Sequence, residues 1–214
     1  MEQRPLIFDL DNTLVTNSDE VYRSFNAALR YFGVDEVPPE RYDSIDFWSL
    51  DSEGKNTALD RLGVERSPEE FRDVFDWLYT AKTEHYILEG RIRVLPGVRN
   101  FLSRVRGTSP YLGIVTNSPH ETAHLKLSML GLDRFFDRVV TPREVPRKPD
   151  PSGLEKLVEE SGLRGDEFLY VGDSRKDLVA ARRAGLEPLM VSDQDMDVPR
   201  QFRSFRELER SFRG

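Results

Sequence analysis

Short apolar runs alternating with helical patterns constrain this chain more than any other feature. The runs are LIF at 6–8, YLGIV at 111–115, RVV at 138–140, FLYV at 168–171 and PLMV at 188–191. Runs this short fit strands buried on both faces. Because the last four alternate with helical patterns, they predict a parallel sheet covered by helices on both sides.

Start and stop signals bound the intervening helices. Ser118-Pro119-x-Glu121 reads as a capping box with proline at the first helical position, and Gly131 as the stop. Asp150-Pro151 opens a helix with Leu154, Leu157 and Val158 on one face, closed by Gly162. Pro96 opens another, with Val98, Phe101, Leu102 and Val105 apolar, and Ser204 with Glu207 caps a last one holding Leu208 and Phe212. Residues 17–90 differ, showing helical patterns and no strand. Val21, Phe25, Ala28, Leu29 and Phe32 form one stripe ending at Gly33; Ser67-Pro68-Glu69-Glu70 starts a second helix that buries Phe71, Val74, Phe75 and Leu78. Pro38-Pro39 and Gly54 punctuate the stretch between. The simplest reading is a helical domain at 17–90 inserted into an α/β core made of 1–16 and 91–214. The aromatic residues Phe47, Trp48, Phe75, Trp77 and Tyr79 are expected in the core of that insertion, with one ring available to line a pocket.

Composition narrows the function classes. A net charge of −7 argues against non-specific nucleic-acid binding, which depends on basic residues neutralising phosphates. Without cysteine there is no disulfide, thiolate metal site or cysteine nucleophile. The N-terminus, MEQRPLIFDLDN, does not read as a signal peptide, and no apolar run approaches membrane-spanning length. A soluble cytoplasmic protein, monomeric or homodimeric, is the expectation.

IFDLDNTL puts Asp9 and Asp11 two residues apart at the carboxyl end of a buried strand, the edge where open α/β sheets bind ligands. Two such carboxylates repel, so without a cation one pKa rises. A turn after the strand is the plainer alternative, since Asp and Asn favour turns. FLYVGDSRKDL repeats the arrangement with Asp173 and Asp177. Asp177 also suits a first-turn acid after a Ser174 cap, a role compatible with function. Four carboxylates from two strand ends make an oxygen-rich site suited to Mg²⁺. Lys148, one of six lysines, precedes Pro149 and a helix and can approach the same edge.

In order, D-x-D-x-T (Asp9, Asp11, Thr13), a strand ending in Thr116-Asn117, Lys148, and G-D-S-x-x-D (Gly172, Asp173, Ser174, Asp177) resemble the haloacid dehalogenase superfamily. LPG at 95–97, LGLDRFFDRVV at 130–140 and AARRAG at 180–185 look like its phosphoglycolate-phosphatase-type members. The resemblance implies a Rossmann-like core with the first strand central and a helical cap over the site. It also implies Mg²⁺-dependent hydrolysis of a small phosphorylated metabolite. Asp9 would be the nucleophile that forms an aspartyl-phosphate. Asp11 would protonate the leaving oxygen and then deprotonate water. Thr116 and the Asn117 backbone N–H would bind phosphate oxygens, with Asn12 also at the phosphate. Lys148 would offset the charge of Asp9 and phosphate. The metal would be held by Asp9, the Asp11 carbonyl and Asp173, with Asp177 bonded to a water on it.

HETAH at 120–124 matches the zinc-protease pattern H-E-x-x-H, with His85 or Glu144 as conceivable third ligands. Against it, the capping box accounts for Glu121, and His120 would stand in the first helical turn, where a solvated role is expected. Within the superfamily, Asp11 argues against a dehalogenase and against a phosphonatase, for which Lys55 would be the cap lysine. A phosphosugar mutase keeps Asp11 and is the serious rival. A silent binding protein is disfavoured because four clustered acids destabilise a fold unless they bind something.

Overall fold

The computed structural model describes residues 4–42 and 57–212. Its sheet grows from β1 (Leu6–Phe8), whose three side chains are wholly buried. The other strands are β2 (Leu112–Val115), β3 (Arg138–Val140), β4 (Leu169–Gly172), β5 (Glu187–Val191) and β6 (Gln201–Phe202). Their spatial order is β3-β2-β1-β4-β5-β6, and every pairing is parallel. The chain fills one side of β1 and then crosses to the other. Such a reversal opens a crevice at the carboxyl ends of the strands beside β1.

Alternation along β1 splits the core between the two faces. Leu6 and Phe8 pack with α5 (Val98–Val105), α6 (His120–Met129) and α9 (Phe205–Ser211), through Phe101, Leu127 and Leu208 among others. Ile7 packs on the opposite face against Leu154 and Leu157 of α7 (Ser152–Ser161) and Ala180 and Ala181 of α8 (Arg175–Arg183). Gly113 lets α7 pack closely on that second face, since a Cβ there would lie 2.7 Å from a Leu157 methyl carbon.

Beyond β1 the chain enters α1 (Ser18–Tyr31), α2 (Pro39–Tyr42), α3 (Thr57–Arg61) and α4 (Pro68–Leu88). Phe25 and Leu29 of α1, Leu59 of α3, and Phe71, Phe75 and Tyr79 of α4 form a separate buried cluster. The Ser67–Glu70 capping box starts α4 as its spacing predicts. The outgoing and returning connections run side by side: Thr16 N–H donates to Arg93 O at 2.9 Å, and Leu95 N–H to Leu14 O at 2.9 Å. Asn12, with a left-handed φ of 57°, turns the outgoing strand.

Several local expectations change. Trp77 is 62% exposed and belongs to no core. Pro119, not Ser118, is the N-cap of α6, and no side chain caps that helix. Ser118 instead donates its hydroxyl to Asp11, and Glu121 pairs with Arg143. A first-turn anchor chosen from local spacing has lost its hydroxyl to a distant carboxylate. Strand β6 was not anticipated, and Phe47, Trp48, Gly54 and Lys55 lie outside the described residues.

Candidate active site

Strand register brings the acids together. Phe8 aligns with Ile114 of β2 and with Val171 of β4, so the residues just past these rungs gather at one edge. They are Asp9, Thr116-Asn117 and Asp173. Carboxylate oxygens of Asp9, Asp173 and Asp177 lie within 4.8 Å of one another. The Thr13 hydroxyl sits between two of them, 3.2 Å from Asp173 Oδ1 and 3.4 Å from Asp9 Oδ2. Asp177 arrives through a second feature, the capping box in which Ser174 accepts from the Asp177 N–H and Asp177 Oδ2 accepts from the Ser174 N–H at 3.0 Å. Its cap role and its site role coexist.

Lys148 is the cation wedged among these acids. Its Nζ donates to Asp9 Oδ1 at 2.5 Å and to Asp177 Oδ1 at 2.6 Å, and lies 2.9 Å from the Tyr170 hydroxyl. Tyr170 in turn donates to Asp177 Oδ1 at 2.6 Å. The loop carrying Lys148 is clamped by the Asn117 side chain, whose Nδ2 donates to Lys148 O at 2.9 Å while its Oδ1 accepts from the Lys148 N–H at 2.8 Å. Gly172 permits the close approach, because a Cβ there would lie 2.6 Å from the Asp177 Cβ.

Burial sets the charge states. It drives the Asp9 carboxyl up to about 7, opposed by Lys148 and reinforced by Asp177 and Asp11. Burial likewise raises Asp173 well above the usual carboxylate range, with Asp177 and Asp9 adding to the shift. For Asp177 burial also acts upward, but Lys148, Ser174 and Tyr170 outweigh it and hold the carboxyl low. Burial pulls Lys148 down, and Asp177 and Asp9 reverse that to leave it above the ordinary lysine value. One lysine therefore does not satisfy three acids. Two of them, Asp9 and Asp173, retain a raised proton affinity, and the main cause is burial, where the sequence suggested repulsion between Asp9 and Asp11. Three oxygen donors in that state fit a hard divalent ion.

Asp11 points elsewhere. Its Oδ1 accepts from Lys126 of α6 and its Oδ2 from Ser118. Together with Asn17, Phe75 and Tyr79 it lines a cavity of about 130 Å³ between the α1–α4 helices and the sheet. Asn12 lies at the exposed turn, where its Oδ1 accepts from the Asn17 N–H at 3.1 Å. The Thr116 hydroxyl is buried and accepts from the Ser118 N–H at 3.0 Å. Thus Asp9, Asp173, Asp177 and Lys148 form one cluster, with Thr116 and Asn117 beside it and Asp11 on the cavity side. Sequence reasoning missed Lys126, Ser118 and Tyr170. Lys126 carried a readable signal, since it falls on the buried stripe of α6 with Ala123 and Leu127; the other two did not.

The two histidines of HETAH do face each other, with ring centroids 4.4 Å apart. No third ligand joins them among the described residues. His85 pairs with Glu89, and Glu144 with Arg138. His120 is half-buried, its Nδ1 3.1 Å from the Thr141 hydroxyl, where a solvated side chain was expected.

Residues 6–191 match the family model of the haloacid dehalogenase-like hydrolases. The chain belongs to that family. Its curated relatives within it include the phosphoglycolate phosphatase of Agrobacterium fabrum, 31% identical over 206 residues that span 93% of this chain and 86% of that one. Another is the pyrophosphatase PpaX of Halalkalibacterium halodurans, 29% identical over 205 residues, 94% of this chain and 90% of that one. The crystal structure of CbbY from Rhodobacter sphaeroides in complex with phosphate shares the fold, with a TM-score of 0.79 at 20% identity over 96% of each chain. The chain is thus an enzyme of a hydrolase family, with an acidic cluster where its core strands end. No helix among the described residues is long and apolar enough to cross a membrane.

Proposed function

We propose that this hydrolase removes phosphate from a small phosphorylated metabolite, with Asp9 as nucleophile and Mg²⁺ as cofactor. The observation that carries the reading is the convergence of Asp9, Asp173 and Asp177 within 4.8 Å around the Lys148 ammonium. Asp9, the Asp11 carbonyl and Asp173 would hold Mg²⁺, with Asp177 in its outer sphere. Bound there, the ion supplies the positive charge that lets an anionic phosphate approach clustered acids. The phosphate oxygens would meet the Thr116 hydroxyl, the Asn117 N–H and Lys148, near the turn made by Asn12.

An Asp9 carboxylate oxygen then forms a bond to phosphorus as the ester P–O bond breaks, and Asp11 gives its proton to the leaving oxygen. Water next attacks phosphorus and surrenders a proton to Asp11, while the Asp9–phosphorus bond breaks to restore the carboxylate. Atoms balance as ester plus water giving alcohol plus phosphate. The division of positions fits these parts, since Asp9 faces the acid cluster and Asp11 the cavity between the helices and the sheet. Residues 17–90 would serve as a cap over a core of 1–16 and 91–214, and a cavity of about 130 Å³ favours a leaving group of few atoms. The names of the relatives make phosphoglycolate and pyrophosphate the first substrates to try, and they favour hydrolysis over the mutase reading. We expect the enzyme to work in the cytoplasm as a monomer or homodimer.

The test is a panel holding phosphoglycolate, pyrophosphate and a hexose 1-phosphate, with products identified, in Mg²⁺ and after EDTA. Free phosphate released only with Mg²⁺ supports the proposal. An isomerised hexose phosphate without free phosphate would favour the mutase, and restoration by Zn²⁺ alone would contradict the metal assignment.

A further inference from the structure

Lys126 is a fully buried lysine outside the acid cluster. Its ammonium has three donors, and three acceptors meet it: Asp11 Oδ1, Asn17 Oδ1 at 3.3 Å and Ser118 Oγ at 3.3 Å. The Tyr79 ring closes the fourth side, 4.9 Å away. Taking an ammonium out of water is costly, and an apolar chain of similar volume is often as stable or more so in such a place. The side chain is therefore explained by what it holds, and it holds the Asp11 carboxyl. Lys126 takes one oxygen of that group and Ser118 the other. The two bonds come from α6 and the segment just before it, on the side away from Asp173 and Asp177. They keep the Asp11 side chain at the cavity wall. Tyr79, which donates to Asn17, packs the same ammonium from the cap side.

We propose that Lys126 is the positioning residue for Asp11, fixing its carboxyl where the leaving oxygen of the substrate lies. This rests on the assignment of Asp11 as the proton donor. If it is right, removing the ammonium lets Asp11 swing on its side-chain torsions, and proton delivery fails while attack by Asp9 persists. Displacing a reacting group by about 1 Å can cost on the order of 100-fold in rate. The loss should depend on how much the leaving group needs a proton.

The experiment compares Lys126→Met, Asp11→Asn and the double variant on an alkyl phosphate and on 4-nitrophenyl phosphate, with Mg²⁺ present. Lys126→Met should lower kcat/KM at least about tenfold more for the alkyl than for the aryl ester, mostly through kcat. Added to Asp11→Asn, it should cause no further loss beyond about twofold, because its effect passes through Asp11. Equal losses on both esters, or losses that multiply in the double variant, would overturn the proposal. The ratio between esters does not depend on how much enzyme is folded, so a less stable variant still gives an answer. Lys126→Gln, which restores an uncharged amide NH₂, should recover part of that ratio; no recovery counts against positioning by hydrogen bond. If Asp11→Asn itself shows no leaving-group dependence, the donor assignment falls first. If it does and Lys126→Met does not, only the role of Lys126 falls.

Discussion

Alanine at position 172 isolates the packing that brings Asp177 to Lys148. The new Cβ would stand 2.6 Å from the Asp177 Cβ, 2.7 Å from its Cγ and 3.0 Å from a Tyr170 ring carbon. Carbon atoms rest at about 3.5–4.0 Å, so the Asp177 contact must open by roughly 0.9 Å. Neither neighbour yields freely. Asp177 is held by Ser174 and Lys148, and Tyr170 is fully buried in β4. Overpacking of this kind costs about 1–3 kcal/mol of stability. For a chain of this size that lowers the Tm by a few degrees per kcal/mol, and the protein stays folded at room temperature. The catalytic loss should be larger, because Lys148 follows Asp177 and a shift near 1 Å can cost about 100-fold. Steady-state kinetics at 25 °C beside a circular-dichroism melt separates the two. We expect kcat/KM to fall on the order of 100-fold in a folded Gly172→Ala protein. Activity within about twofold of wild type would show that Asp177 and Lys148 need no such contact, and the reasoning would fail.

Mg²⁺ affinity should depend on pH with a definite sign. Burial raises the Asp9 carboxyl to about 7 even against Lys148, so below that value Mg²⁺ must displace its proton. Because the Asp173 carboxyl is raised as well, affinity should weaken by at least about tenfold per unit as pH falls below 7; calorimetric titrations that are flat from about pH 5 to 8 would contradict this. The separate buried cluster within the α1–α4 helices makes a stability prediction. Phe71, 1% exposed, sits with its ring centroid 5.4 Å from that of Phe25 and 5.8 Å from that of Phe32. Phe71→Ala should cost about 3–5 kcal/mol in denaturant unfolding of the α1–α4 helices, and a loss under about 1 kcal/mol would mean that the cluster does not hold them together.

Much of this architecture is legible in the sequence because it is written in local terms. LIF, YLGIV, RVV, FLYV and PLMV all carry strands, with ends moved by a residue or so. Apolar stripes on α1, α4, α5, α7 and α9 mark buried faces. β6 escapes because two half-buried residues pairing at a sheet edge have no apolar pattern to read. In the candidate site, the acids and Lys148 were legible from their strand-end positions. Their pairing with partners was not, since Lys126, though its place on the buried stripe of α6 could be read, meets Asp11 across 115 residues and Ser118 meets it across 107. Ser118 shows the limit most clearly. Its spacing to Glu121 satisfied a capping rule, and a nonlocal carboxylate overrode it. The same misreading supplied one argument against the H-E-x-x-H pattern, which fails in fact because the histidines have no third ligand among the described residues.

The central claim, that Asp9 carries the phosphoryl group in transit, can be tested by quenching the turning-over enzyme in acid and mapping phosphate on its peptides by mass spectrometry. A phosphoryl group is expected on the peptide containing Asp9, lost in Asp9→Asn together with turnover. A phosphorylated residue elsewhere, or steady turnover by a folded Asp9→Asn protein, would contradict it.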